Sequence, residues 1–274
     1  MALPLLDHNP RKGLQGGNEV AHKIKRYGWV PDLPDHRDHL YAAPVVYLRE
    51  LPVKVDLRPN CPPEVYDQGQ LGSCTANAIA GAIEFDRIKQ KLADIFTPSR
   101  LFIYYNERVI EGTVDSDSGA QIRDGIKSVS QQGGPHEALW PYDITKFTDP
   151  PSKPAIDDGL KHVAVSYQRV ARNLNQMKGC LASGYPFVYG FTVYESFESP
   201  EVAKTGVVPM PSSNEQVLGG HAVLAVGYDD SQQRFIVRNS WGNKWGMAGY
   251  FTMPYTYLTD SNLSDDFWTV RLVK

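Results

Sequence analysis

Along residues 75–91 the apolar positions Ala78, Ile79, Ala82, Ile83, Phe85 and Ile88 recur with a helical period and few charges between them. The pattern predicts a helix largely buried in a core. Gly81 within it is tolerable where another element packs close. A second helix is marked by Thr97 as N-cap with Pro98 in the first turn, runs through "SRLFIYYNERVIEG" and stops at Gly112. The loop "VDSDSG" leads to a third helix over about 120–131, closed by Gly133, Gly134 and Pro135. The stretch "DPPSKP" at 149–154 reads as a linker, and after it the texture changes. Short runs rich in Val, Tyr and Phe at 163–170, 186–194, 221–228, 234–239 and 248–253, punctuated by Gly, Asp and Asn, predict antiparallel strands. One short helix, about 173–183, interrupts them. Helices first and strands after imply an α+β protein of two packed subdomains with a cleft between them.

Residues 1–50 differ from the rest. Gly16, Gly17 and prolines at 4, 10, 31, 34 and 44 predict an extended, mostly irregular segment. His36 and His39 within it read as solvated loop histidines, and Lys23, Lys25 and Arg26 as a solvated face. No internal repeat or low-complexity tract follows.

Composition narrows the class. The chain has 274 residues, 42% of them apolar and 22% charged, which excludes a disordered protein. A formal charge of −3 predicts no nucleic-acid partner. No apolar run approaches the roughly 18 residues of a membrane span, and "MALPLLDHNPRK" lacks the pattern of a secretory signal, so no membrane association is expected. The three cysteines, Cys61, Cys74 and Cys180, form no disulfide framework. With no Cys-x-x-Cys or Cys/His cluster at zinc spacing, neither a metal nor a cofactor is expected. Asp115 and Asp117 resemble a calcium loop without its distant glutamate and read as turn or capping residues. The low cysteine count favours a cytoplasmic location over export.

The candidate chemistry starts at "DQGQLGSCTAN". A thiolate is the nucleophilic form of cysteine, and a helix N-terminus or a neighbouring imidazolium lowers a thiol's pKa. Cys74 has the first if the helix begins there, although a lone cysteine before a helix is more often a buried structural residue. His221 opens the strand-like run "HAVLAVGYDD" after Gly219 and Gly220, and Asn239 ends the next run in "FIVRNSWGNKWG". A turn at Asp229 and Asp230 brings the two side by side. Asn239 then accepts the imidazole N–H and fixes its tautomer, as the third member of a triad does. Trp241 is placed to cover that bond. Gln68, six residues before Cys74, offers a side-chain NH2 that with the Cys74 backbone N–H makes an oxyanion hole.

The blocks "QGQLGSCTA", "GGHAVLAVGY" and "RNSWGNKWGMAGYF" resemble the signature blocks of the papain-like cysteine peptidases. "LPVKVDLR" at 51–58 resembles the start of that family's mature domain, and "WPYD" at 140–143 its Tyr-Pro-Tyr block. His221 follows Cys74 by 147 residues, within the family's spacing of about 130–150. The resemblance runs from about 51 to 253 and implies a peptidase domain over 51–274. Its helical subdomain would span about 62–162, and its β-barrel-like subdomain 163–274 together with 51–61. It also implies roles: Cys74 as nucleophile, His221 as base and then acid, Asn239 as orienting residue, Gln68 as oxyanion donor. Trp241 would shield the His–Asn pair and Trp245 lie on the leaving-group side. Ser118 and Gly119 would occupy the place of the glycines that bond an extended substrate, and Gly220 would lie near the specificity pocket. Protein or peptide substrates, protein inhibitors and a monomeric state are implied as well.

Departures from the family are informative. Leu71 stands where a disulfide cysteine is usual, and Thr75 where a tryptophan usually follows the nucleophile. The long helical propeptide has no counterpart in residues 1–50, which points to a divergent bacterial branch of the xylellain type. Those residues read either as a lid lying across the cleft or as a bracing tail. Cys180, in "MKGCLASGYPF", reads as a buried helix residue. The expected activity is endopeptidase hydrolysis through a thioester acyl-enzyme. The alternatives are another thiol acyl transfer, such as deamidation or transglutamination, and a silent peptide-binding protein on the same fold.

Overall fold

The computed structural model describes residues 27–274. Along it lie helices α1 (Val45–Arg49), α2 (Cys74–Lys89), α3 (Arg100–Glu111), α4 (Ile122–Gln131), α5 (Lys153–Gly159), α6 (Leu174–Ala182), α7 (Pro200–Thr205) and α8 (Tyr255–Thr259). The strands are β1 (Lys54–Asp56), β2 (Ala164–Arg169), β3 (Phe187–Tyr194), β4 (Val217–Asp229), β5 (Arg234–Arg238), β6 (Tyr250–Pro254) and β7 (Ser264–Val273). The strands form one open antiparallel sheet in the order β2-β7-β3-β4-β5-β6, with β1 paired to β4. The chain therefore has the expected α+β architecture.

Period-2 alternation in the central strands explains why both faces of the sheet are covered. On one face Val188, Ala222, Leu224, Val226, Trp268 and Val270 pack on α2, α3 and α4. On the other, Phe187, Tyr189, Phe191, Val223, Ala225 and Phe267 join α6 and α8 in a second core. The predicted helix at 75–91 is α2, which is buried around nearly its whole circumference because it lies between the sheet and two other helices.

Three expectations need correction. The cap of α3 is Ser99, whose Oγ accepts the N–H of Phe102 at 3.2 Å; Thr97 and Pro98 precede the helix. Pro98 bridges His136 and Ser99 N–H donates to Pro135 at 2.7 Å, which holds the chain extended there. The supposed linker at 149–154 ends in a helix start, since Ser152 caps α5 and Pro154 fits its first turn. Strand β7 went unread because its first half, with two aspartates, interrupts any apolar alternation.

Residues 27–43 carry no helix and run over the junction of the two halves. Trp29 forms a parallel bridge to Ala120 and Leu40 one to Arg169, while Tyr41 and Ala43 are buried against the α6 side of the sheet. The first half of the irregular segment, 1–26, lies outside the described residues.

Candidate active site

Cys74 is the first residue of α2, directly after a turn that several side chains hold in shape. Both carboxylate oxygens of Asp117 accept the Gly72 N–H, at 3.0 and 3.2 Å, and Asp117 also bonds the Tyr104 hydroxyl. Asp117 thus has the turn role read from the sequence. Tyr142, from the "WPYD" block, donates to the Gln68 carbonyl at 3.0 Å and bonds Ser73 Oγ. Asn77 Nδ2 returns to the Ser73 carbonyl at 2.9 Å. Behind the turn, Thr75 donates to Glu107 at 2.6 Å in a fully buried pair. Burial pushes the Glu107 carboxyl well above its usual range. Thr75, which takes the place of a bulkier residue in the family pattern, leaves room for this carboxyl.

His221 and Asn239 meet through strand register. The pair Leu224↔Arg238 closes the β4–β5 ladder. Asn239, one residue further, falls on the face and diagonal that His221 occupies. His221 Nε2 donates to Asn239 Oδ1 at 2.8 Å, and His221 Nδ1 is buried without a hydrogen bond. Trp241 stacks on the imidazole at 5.1 Å between centroids and 29° between planes, as a cover over that bond. Trp245 is buried beneath, edge-on to Trp241 at 5.1 Å and in contact with Phe197 and Phe251. It reaches the His–Asn pair through Trp241. The Gln68 amide is fixed at both ends: Nε2 donates to the Leu71 carbonyl at 2.9 Å and Oε1 accepts from Ser240 Oγ at 2.7 Å. One of its two N–H bonds is committed to that carbonyl, which leaves the second for another acceptor.

The N-terminal segment lies across these residues. Gly28 sits on Gly72 and Gly119, so close that a β-carbon on Gly28 would fall 1.7 Å from the Gly72 oxygen. The Gly28 N–H faces the Cys74 sulfur, together with the N–H groups of Ala222 and Thr75. On one side Tyr27 bonds Glu198 and stands edge-on to His221 at 6.2 Å. On the other, Trp29 fills a pocket floored by Gly190 and Gly220 and donates its indole N–H to Asp266 at 3.0 Å. The backbone pairs on both banks: Trp29 N–H to Gly220 at 2.9 Å, Val30 N–H to Ala120 at 3.0 Å, and Ala120 N–H to Gly28 at 2.8 Å.

Ser118 and Gly119 therefore border the segment, but the main-chain bonds to it come from Ala120, one residue on. The Ser118 hydroxyl turns into its own loop, within 2.9 Å of Thr113 Oγ1 and 3.0 Å of the Gly119 carbonyl. Sequence reasoning missed Ala120, Tyr142, Ser240 and Glu107; only Tyr142 and Ser240 had a visible signal, each in the signature block that contains it.

Cys74 and His221 are fully buried beneath the segment. Burial pushes the Cys74 thiol up to about 12 and the His221 imidazole down to about 4. The neighbouring N–H groups and the Asn239 bond oppose these shifts without reversing them. With the segment in place, both groups are neutral. Cys61 and Cys180 are also free and buried, the latter on α6 as expected.

Comparison with known proteins gives a consistent picture. The profile of the family described as "Papain family cysteine protease" matches residues 51–266. A peptidase C1-like protein of Acanthamoeba polyphaga mimivirus is 43% identical over 272 residues, covering 91% of this chain and 88% of that one. The crystal structure of xylellain, a cysteine protease from Xylella fastidiosa, is 46% identical with a TM-score of 0.85, covering 90% of this chain and 96% of that one. A procathepsin B from Trypanosoma congolense, 20% identical with a TM-score of 0.73 over 93% of this chain and 89% of that one, shares the fold.

Proposed function

Because this chain belongs to the papain family of cysteine peptidases, we propose that it is an endopeptidase acting through Cys74, His221 and Asn239 and restrained by its own N-terminal segment. The observation that carries this reading is the His221–Asn239 bond, which leaves the unbonded Nδ1 as the imidazole's basic nitrogen. His221 Nδ1 takes the Cys74 proton as the sulfur attacks the substrate carbonyl carbon. Asn239 holds the imidazole in the tautomer this transfer needs. The tetrahedral oxyanion accepts the second Gln68 N–H and the Cys74 backbone N–H. The intermediate collapses to a thioester while His221 returns the proton to the leaving amine. Water then attacks the thioester with His221 as base, releasing the acid and restoring the thiol. Substrate lies extended, paired with the main chain of Ala120 and Gly220.

Residues 27–30 act as a plug in this cleft. What faces the sulfur is the Gly28 N–H, whereas the Gly28 carbonyl is engaged by Ala120. The segment thus occupies the space beside the sulfur that a substrate carbonyl needs. It also keeps Cys74 and His221 dry, which holds both neutral. Departure of the plug readmits water and the substrate carbonyl together.

The test combines mass spectrometry with a thiol-directed epoxide and a peptide library. The expected result is stoichiometric modification of Cys74, with new peptide N- and C-termini lost in Cys74→Ser. Faster modification in Trp29→Ala than in the intact chain supports the plug. Neither labelling nor cleavage in Trp29→Ala would refute the proposal, and amide exchange without new termini would shift it to another acyl transfer.

A further inference from the structure

Outside the cleft, three potential metal ligands converge from distant parts of the chain. Asp94 follows α2, His136 lies in the bridge to Pro98, and His162 precedes β2; one ligand atom from each falls within 4.8 Å of the other two. Their scatter over 94, 136 and 162 hides the cluster from any spacing rule.

We propose that Asp94, His136 and His162 bind a divalent transition-metal ion of the zinc class. Three observations carry it. First, His136 is oriented as a ligand: Nδ1 donates to Asp158 Oδ2 at 2.8 Å, leaving Nε2 directed at Asp94 Oδ2, 3.0 Å away. A carboxylate behind a histidine is the arrangement that fixes the ring and raises its basicity toward a metal. Second, the ring is already immobile, because Phe96 stacks on it with centroids 3.7 Å apart and Asp158 also accepts the His136 backbone N–H. Third, tetrahedral zinc with bonds near 2.0–2.2 Å needs donor atoms about 3.3 Å apart. The donors lie within 4.8 Å of one another and must close to that spacing, a movement that Asp94, more than half exposed, has room to make.

The Arg87 guanidinium stands nearby, with Nη1 3.5 Å from His162 Nδ1. Its other bonds tie it to the carbonyls of Asp94 at 2.6 and 3.0 Å and of Lys274 at 2.6 Å. The charge weakens the site but is offset by Asp94 and Asp158, and the same bonds hold the Asp94 loop in place. A bound ion would clip together the loop after α2, the segment leading to Trp140 and the approach to β2, beside the C-terminus.

The test uses the full chain with Cys74→Ala, so that no active-site thiol competes. Titration with Co2+, read by visible absorption, and with Zn2+, read by calorimetry, is expected to show one saturable site and a raised Tm. Asp94→Asn, whose side chain is too exposed to be needed for folding, and His162→Gln should each weaken binding at least tenfold. Asp158→Asn should weaken it by about 10–100-fold. Affinity unchanged in Asp94→Asn and His162→Gln, or no saturable binding at neutral pH, overturns the proposal.

Discussion

Trp29 lies against Gly190, so closely that a β-carbon on the glycine would fall 2.0 Å from the indole. Gly190 pairs with Ala222 and Asp265 in ordinary strand geometry, so alanine suits the strand and only the indole must yield. Gly190→Ala should therefore loosen the plug and raise peptide turnover by the intact chain by about tenfold, equivalent to ~1.4 kcal/mol of lost docking. In a Trp29→Ala background the same change should do nothing, a coupling that steady-state rates on all four variants will measure.

Acidity should tighten the plug. Asp32 N–H donates to Asp266 at 2.7 Å, and Asp32 itself accepts from Trp268 at 2.9 Å and from the Arg123 N–H at 3.0 Å. Asp38, Asp265, Arg123 and Arg169 complete the cluster. Burial, then the Asp266 charge, raise Asp32 from 3.8 to about 7. The docked segment thus keeps a proton that a released one gives up near pH 4. Docking is strongest below that pH and weakens as pH rises toward 7. Asp32→Asn, which cannot lose this proton, should remove the effect. The ratio of Cys74 labelling rates, intact over Asp32→Asn, should climb on the order of tenfold between pH 4 and 7. A flat ratio contradicts the latch.

Gln68→Ala should lower kcat by about 10²–10³, the usual loss for one oxyanion donor, with KM little changed. The control is Ser240→Ala, which frees Gln68 Oε1 but spares its N–H groups. Its kcat should fall far less, and equal losses would mean that Gln68 only braces the Ser240 loop.

Glu107 offers a stability test. Its folded pKa is raised by burial, so the neutral carboxyl costs nothing at low pH and stability falls as pH rises above the unfolded value near 4.5. Glu107→Gln, which keeps the Thr75 contact without an ionisable group, should melt at a similar temperature near pH 4 and at a higher one near pH 8. Calorimetric scans at the two pH values decide it.

What the sequence disclosed depended on how locally each feature is encoded. α2 was legible because its apolar period is unbroken, and Gln68, Cys74, His221 and Asn239 because each sits in a short distinctive block. Ala120 was not, since any residue offers a backbone N–H and carbonyl, and the one that pairs is chosen by the turn at Gly119. The α3 cap was misplaced by two residues because Thr97 and Ser99 are both competent hydroxyls, and Pro135 decides between them. The seat of residues 27–30 has no periodicity at all. Its partners belong to β3, β4 and the loop before α4, so it is visible only once those are assembled.

The burial of Tyr41 and Ala43 alongside α6 has a consequence for the plug proposed above. It moors the plug a short tether away from the sulfur, where its effective concentration is on the order of millimolar whatever the protein concentration. Dilution cannot activate such a molecule, and a plug of only modest intrinsic affinity suffices to keep it quiet. Release must come from a substrate abundant or tight enough to win the competition, from a change in the charge of its moorings, or from a cut in the tether.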